Sequence, residues 1–481
     1  MAQKGLFGAN PRSSKKNDAQ LLAQRKNRKP AVEVTYISGN ALKDAVARAR
    51  TLSTRILGHV LDRLELVTEE AKLEQYVDKM IEDGIGSIDV ETDGLDTIHE
   101  ELAGVCLYSP SQKGIYAPVN HVSNMTKMRI KNQISPEFMK KMLQRIVDSG
   151  IPIIYHNSKF DMKSIYWRLG VKMNEPAWDT YLAAMLLNEN ESHSLKSLHS
   201  KYVRNEENAE VAKFNDLFKG IPFSLIPPDV AYMYAAYDPL QTFELYEFQE
   251  QYLTPGTEQC EEYNLEKVSW VLHNIEMPLI KVLFDMEVYG VDLDQDKLEE
   301  IREKFTNSMN EAEQEFQQLV SEWQPEIEEL RQTNFQSYQK LEMDARGRVT
   351  VSISSPTQLA ILFYDIMGLK SPEKDKPRGT GESIVEHFDN DISKALLKYR
   401  KYAKLVSTYT TLDQHLAKPD NRIHTTFKQY GAKTGRMSSE GPNLQNIPSR
   451  GEGAVVRQIF SASPGYYIIG SDYSQQEPRS L

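Results

Sequence analysis

Cysteine is nearly missing. The two in 481 residues, Cys106 and Cys260, are too few for a disulfide framework or a Cys-rich zinc site, which fits a reducing compartment. Long apolar runs are missing too: no stretch approaches the ~20 apolar residues that span a bilayer, and no apolar segment follows the basic N-terminus to read as a signal peptide. The expected location is a cytoplasm, with no membrane partner. Positive charge is outweighed, with 57 Lys and Arg against 68 Asp and Glu and a formal net charge of −11. That excess does not exclude nucleic acid, because phosphate binding depends on local basic surface and carboxylates that gather divalent metals add acid around their site. What is present, 40% hydrophobic, 26% charged and 9% aromatic residues, is the composition of a globular protein. At roughly 100–200 residues per domain the length allows three or four domains.

Residues 1–30 hold eight Lys and Arg against one acid, Asp18, and read as a basic arm. Either it is a solvated tail or it makes a weak electrostatic contact with DNA or a partner. With a lead-in helix it forms a first segment, 1–62. From 63 to 250 short apolar runs alternate with helical periods, which predicts an α/β domain. QEQYLTP marks a boundary near 250–256. Helices then dominate, and a Glu/Gln/Lys-rich stretch at about 295–342 reads as exposed helix. A second α/β piece is expected from Asn421, with GYYIIGSDYS as its last strand.

The run SIDVETDGLD places Asp89 and Glu91 two apart on a strand, so both carboxylates face the same way. Like charges held that close need a cation. In IPIIYHNSKFDMKSIYWRLG an apolar strand runs into a helix, with Asn157 just past the strand and Asp161 one turn on. In AYMYAAYDPLQTFELY Tyr234 and Asp238 stand at i,i+4, the spacing that stacks two side chains on one helical face. Four carboxylates and a phenol can thus converge. Oxygen ligands of this kind suit two Mg²⁺ or Mn²⁺ ions, about 4 Å apart, which activate water and stabilise the leaving oxygen in phosphodiester cleavage. Pro239 disfavours helical geometry in the residue before it, and a kink there would change the geometry of Tyr234 and Asp238.

This order, Asp-x-Glu, Asn-x₃-Asp, Tyr-x₃-Asp, resembles the three exonuclease motifs of the DEDD superfamily in its Tyr-bearing branch, as in the proofreading domain of family A DNA polymerases. The resemblance implies that Asp89, Glu91, Asp161 and Asp238 are metal ligands, that Tyr234 positions the attacking water, and that Asn157 contacts the single-stranded 3′ end.

The later segments NLEKVSWVLHNIEMPLIKVLFDMEVYGVDLD, SSPTQLAILFYDIMGL and ALLKYRKYAKLVSTYTTL resemble successive landmarks of the family A polymerase body. The last reads as an amphipathic helix with a basic face, including Lys398, Lys401 and Lys404, suited to the backbone of a primer–template duplex; without a ligand it would be a solvated face. KTGRMSSEGPNLQNIPSR resembles the family's TGR and NLQNIP element, which implies DNA contacts by Arg436, Asn443, Gln445, Asn446 and Arg450. The final run resembles polymerase motif A. By that resemblance Asp472 is a ligand for both catalytic metals, the backbone after it, at Tyr473, Ser474 and Gln475, faces the deoxynucleoside triphosphate, and Glu477 is the steric gate against ribonucleotides. Gln476 and Pro478 depart from the usual Ile and Leu there.

The expected fold is an RNase H-like α/β exonuclease domain at 63–250, the start of the polymerase body at 251–295, a mostly helical thumb at 296–415 and the beginning of an α+β palm at 416–481. No fingers helix and no second metal-binding aspartate follow Asp472. Synthesis, with Mg²⁺ at the polymerase site, is therefore expected only when the site is completed, by a second chain carrying fingers and remaining palm, with a truncated or interrupted reading frame as the other explanation. The implied function is 3′-5′ proofreading hydrolysis within a DNA-templated polymerase of phage replicative type, so the cytoplasm includes that of a phage-infected bacterial host. The alternatives are a stand-alone 3′-5′ exonuclease whose C-terminal region grips duplex, and a non-catalytic DNA-binding subunit.

Overall fold

The computed structural model describes residues 39–204, 218, 220–432 and 434–480. The basic arm lies outside them. The chain divides into two compact units, one running to Val288 and taking in Gln429–Met437, the other comprising Tyr289–Lys428 and Ser438–Leu481.

The first unit is built on a six-stranded mixed sheet. Its strands are β1 (Leu64–Leu66), β2 (Gly86–Thr92), β3 (Leu102–Tyr108), β4 (Gly114–Pro118), β5 (Ile153–Tyr155) and β6 (Trp178–Asp179), in the order β1-β4-β3-β2-β5-β6. β2 and β4 pair antiparallel with β3, and the remaining pairs are parallel. β3, β4 and β5 are buried along their whole length, as expected of strands covered on both faces.

The covering helices start with α1 (Gly39–Ile56), α2 (Glu70–Asp83) and α3 (Pro136–Ser149). α3 shows why such segments start and stop where they do. The Ser135 hydroxyl accepts from Phe138 N–H, Pro136 opens the first turn, and Gly150 closes the helix in the left-handed region. α4 (Ser158–Leu169), α5 (Thr180–Leu187), α6 (Leu195–Tyr202), α7 (Pro228–Ala235), α8 (Tyr237–Leu253) and α9 (Met277–Tyr289) follow. The core continues past residue 250, because Leu272, Met277, Ile280 and Phe284 are buried in the same apolar cluster as the sheet.

In the second unit α10 (Gln295–Ser321) starts at the Asp294 cap and α11 (Asp391–Tyr409) at an Asn390–Ser393 capping box. The two run antiparallel. Leu298, Ile301 and Phe305 share one buried cluster with Leu405 and Tyr409, and Phe316 and Val320 share another with Ile392, Ala395 and Leu396. Three short antiparallel pairs complete the unit: β7 (Asp292–Leu293) with β12 (Phe460–Ser461), β8 (Glu342–Met343) with β9 (Val349–Thr350), and β10 (Thr426–Lys428) with β11 (Ser438–Glu440).

GYYIIGSDYS does not form the expected strand. Tyr467 and Ile469 are about nine-tenths exposed, and among the described residues no strand pairs with residues 465–474. Strand propensity expresses a fit to neighbouring strands more than a backbone preference, and here no neighbour is in place. A short helix, α12 (Gln476–Ser480), follows. No helix among the described residues is long and apolar enough to cross a membrane.

Candidate active site

Asp89 and Glu91 lie on β2, one on each side of buried Val90, and point to the same face. Asp89 stands opposite Cys106 in the β2–β3 register, and ligand atoms of Asp89, Glu91 and Cys106 lie within 4.8 Å of one another. Burial raises the Cys106 thiol well above its usual range, and Asp89 and Glu91 push it further. The sulfur therefore stays protonated and leaves the carboxylates as the hard donors.

Asp161 reaches the site from α4. That helix begins where Asn157, at φ 69°, turns the chain in the left-handed region, which Asn tolerates. The buried Asp179 carboxylate accepts from the backbone N–H groups of Asn157 (3.1 Å) and Ser158 (2.8 Å) and from the Ser158 hydroxyl (2.7 Å). It also accepts from Tyr181 and Leu182 N–H, so one side chain caps both α4 and α5. On the other side of α4, Lys159 and Lys163 close on one buried carboxylate, Glu287 of α9, each at 2.6 Å. These two lysines are one turn apart on one face, whereas Asp161 projects from the opposite one.

Asp238 comes from the first turn of α8. The expected single helix is in fact two: α7 ends at Ala235, and α8 starts at Tyr237. Pro239 explains the restart, since a proline lacks the N–H that a continuous helix would need but fits a first turn. Its carbonyl accepts a 2.6 Å bond from the buried Ser87 hydroxyl of β2, which ties the helix bearing Asp238 to the strand bearing Asp89 and Glu91. Lys196 of α6 donates to Asp238 Oδ2 at 3.0 Å, and its ammonium lies 3.5 Å from the Tyr234 ring centroid.

The electrostatics describe a site short of positive charge. Burial first, then Asp238, raises Asp89 well above the carboxylate range. Burial, Asp89 and Asp238 do the same to Glu91, and burial with Asp89 does so to Asp161. Burial also raises Asp238, with Lys196 opposing it. Against the desolvation of its own charge, Lys196 is held above its usual value by Asp238, Tyr234 and Glu91. Among the described residues Asp238 Oδ1 is buried without a hydrogen-bond partner. An orphaned carboxylate oxygen among mutually repelling acids is the donor set of a hard divalent cation, so the residues present fit such an ion.

The remaining candidate residues are not gathered in this way. Lys398 pairs with Glu315 at 3.1 Å and Lys401 with Glu452 at 3.0 Å. Lys404 is exposed. Asn157, Arg436, Asn443, Gln445, Asn446 and Arg450 are exposed, as are Asp472, Tyr473, Ser474 and Gln475. Asn443 Oδ1 is engaged locally, accepting from Gln445 N–H at 3.0 Å. The side chain of Glu477 lies outside the described residues. Sequence reasoning missed Lys196, Ser87 and Glu287. A lysine within a polar helix, a serine within a strand and a glutamate within a long helix carry no spacing signal; the one clue was Pro239, whose effect on the helix implies that something else must hold Asp238.

Two carboxylates on one strand of a mixed sheet and one in the first turn of each of two helices converge on a site that suits a divalent metal. Residues 64–253 match the 3′-5′ exonuclease family and residues 295–481 match DNA polymerase family A. The chain belongs to DNA polymerase family A and carries a 3′-5′ exonuclease domain. Its relatives include DNA polymerase I of Borreliella burgdorferi, 29% identical over 85% of this chain and 40% of the relative, and DNA polymerase I of Treponema pallidum, 27% identical over 95% and 46%. The DNA polymerase of Escherichia phage T5 is 27% identical over 85% and 46%. The chain thus spans less than half the length of these relatives. A solved structure, the POL domain of Pol1 from M. smegmatis in complex with DNA primer–template and dNTP, shares the fold with a TM-score of 0.61 at 21% identity, over 84% of this chain and 59% of that one. Nucleases and polymerases of the family use divalent metals.

Proposed function

We propose that this chain removes nucleotides from the 3′ end of DNA. Asp89, Glu91, Asp161 and Asp238 would hold two Mg²⁺ or Mn²⁺ ions, which when bound activate water and stabilise the leaving oxygen. The observation that carries this reading is the orphaned Oδ1 of Asp238 beside three carboxylates whose charges oppose one another. Asp238 would offer Oδ1 as a ligand while Oδ2 stays bound to Lys196. The Tyr234 hydroxyl would orient the attacking water, and burial keeps that phenol protonated at neutral pH, as a hydrogen-bond donor. Asn157 would meet the single-stranded 3′ end.

DNA-templated synthesis is the second half of the proposal. Lys398, Lys401, Lys404, Arg436, Asn443, Gln445, Asn446 and Arg450 would contact primer–template, Asp472 would bind Mg²⁺, and Tyr473, Ser474, Gln475 and Glu477 would face the incoming deoxynucleoside triphosphate. Two-metal nucleotidyl transfer needs more than one carboxylate and a cationic cradle for the triphosphate. Further polypeptide would supply these, in our reading a second chain with fingers and remaining palm. The proposed layout is exonuclease at 63–250, start of the body at 251–295, thumb at 296–415 and partial palm at 416–481, working in a cytoplasm, that of a phage-infected bacterial host included.

The test is a 5′-labelled single strand with Mg²⁺. Wild type is expected to shorten it, and the Asp89→Ala/Glu91→Ala double variant to lose at least roughly 10³-fold in rate while still binding DNA. Unchanged Mg²⁺-dependent cleavage by the double variant would refute the assignment. On a primer–template with all four deoxynucleotides, extension by the chain alone would overturn the need for completion.

A further inference from the structure

We propose that Lys196 is a positioning residue of this site, holding Tyr234 and Asp238 in one constellation across the break between α7 and α8. The inference rests on the exonuclease reading above. In one continuous helix, residues four apart would be stacked by the backbone itself. Here the junction residue Ala236 keeps α torsions (φ −67°, ψ −16°), but Pro239 cannot donate its hydrogen bond to the ladder, so the backbone holds the distance between the phenol and the carboxylate less firmly than an unbroken helix would. A single ammonium touches both: it donates to Asp238 Oδ2 at 3.0 Å and stands 3.5 Å from the centroid of the Tyr234 ring.

The lysine is itself held firmly. Leu195 and Leu198 of α6 are buried in one cluster with Leu245 of α8. His199 Nε2 lies 2.7 Å from Glu244 Oε2, and Arg63 donates to Glu244 Oε1 at 2.8 Å. α6 is thus clamped along α8, and the Lys196 stem starts from a fixed point. Both contacts need a cation with a compact head: the ring face attracts positive charge, and the carboxylate needs a donor. A methionine would match the stem and lack both interactions. The bond to Oδ2 also orients the carboxylate, leaving Oδ1 as its unpartnered oxygen. Lys196 therefore acts through Asp238 on metal binding and through Tyr234 on water placement, without touching the reacting atoms.

The experiment combines Mn²⁺ calorimetry of the full chain with hydrolysis of a 5′-labelled single strand, for wild type, Lys196→Met, Lys196→Arg, Tyr234→Phe and the Lys196→Met/Tyr234→Phe pair. Lys196→Met is expected to weaken Mn²⁺ binding about tenfold, the scale of losing a partner that orients a ligand. It should lower kcat about 100-fold with KM for DNA within about threefold, the scale of a misplaced group. In the Tyr234→Phe background the same change should cost much less, because part of its effect passes through the tyrosine. Mn²⁺ affinity that is unchanged or tighter in Lys196→Met, or kcat losses that simply add, would overturn the proposal. Should Lys196→Met not fold, Lys196→Arg decides. It keeps the charge but presents a planar fork, so a kcat at least about tenfold lower at an unchanged melting temperature supports the positioning role, and wild-type kcat refutes it. Failure of the exonuclease reading itself would show separately, as undiminished hydrolysis by the Asp89→Ala/Glu91→Ala variant, and the Mn²⁺ titrations would still judge Lys196.

Discussion

The two units use charge in different ways. The first has surface pairs such as Lys72–Glu65 but also buries and shares charge: Glu287 faces Lys159 and Lys163, and Lys196 serves Asp238 beside three more carboxylates. In the second, the charged residues of α10 and α11 pair in solvent, as Lys398 does with Glu315, and the motif residues from Asn443 to Gln475 stand exposed on loops and an unpaired extended segment. A candidate site whose carboxylates rise from a strand inside a sheet and from the first turns of two helices arrives assembled, because strand register and helix starts have already placed them. Residues on segments without a neighbouring strand hold the right chemical types without being brought together.

The sharpest way to break this comparison is to remove charge from each kind of pair. Taking one partner from a buried ion pair leaves an uncompensated charge and costs about 3–5 kcal/mol, whereas an exposed pair is worth about 0–1 kcal/mol. Glu287→Gln is therefore expected to lower stability in a urea titration by about 3–5 kcal/mol, and Glu315→Gln by less than about 1 kcal/mol. Replacing all three members, Lys159→Met/Lys163→Met/Glu287→Leu, should recover most of the loss, because an apolar trio of similar volume needs no counter-charge. Equal effects of the two single changes would erase the distinction between the units.

Acid should act next, and mainly on the first unit. His121 is buried, with Nδ1–H donating to Ile226 O at 2.8 Å and Nε2 accepting from the Tyr116 hydroxyl at 2.6 Å. Burial lowers it from 6.5 to about 4, and burial moves His156 the same way, to about 4. Above pH 6.5 both states are neutral and nothing is lost. Between pH 6.5 and about 4 the unfolded chain takes up the proton and the folded one does not, so stability falls with falling pH; below about 4 both are protonated and the loss stops growing. For His121 the full loss is roughly 3 kcal/mol. Chemical denaturation at pH 7, 5.5 and 4.5 measures the slope, which His121→Gln should flatten. An unflattened slope would assign the acid sensitivity elsewhere.

What could be read from the sequence follows the same division. Asp89 and Glu91 were legible because a period of two on a strand fixes their common face, and Asp161 because a strand running into a helix puts its first turn beside the strand ends. The placement of Tyr234 with Asp238 was legible as a motif, but its mechanism was not. Spacing predicts one helix; the structure uses two, with Ser87 and Lys196 supplying the hold from distant segments. Such contacts join residues about 40 or 150 positions apart, and no local pattern encodes them. GYYIIGSDYS failed for the converse reason: its apolar content is a strand signal only where another strand receives it.

The smallest expected effect concerns the basic face of α11 on duplex DNA. If its lysines meet phosphates, each removal lowers the dependence of log K on log salt by about one unit. The three are not equivalent in the free protein. Lys398 and Lys401 already face Glu315 and Glu452 at about 3 Å, whereas Lys404 has no ion pair among the described residues. A lysine that exchanges a carboxylate for a phosphate gains less than one that meets the phosphate from water, since the displaced acid remains near the DNA. Lys404→Ala should therefore lower the slope by about one unit, and Lys398→Ala and Lys401→Ala by less. Glu315→Gln, which frees Lys398, should strengthen duplex binding at low salt. Equal slopes for the three alanine variants would mean that the pairs open completely on binding, and unchanged slopes would return α11 to a solvated face with no part in gripping DNA.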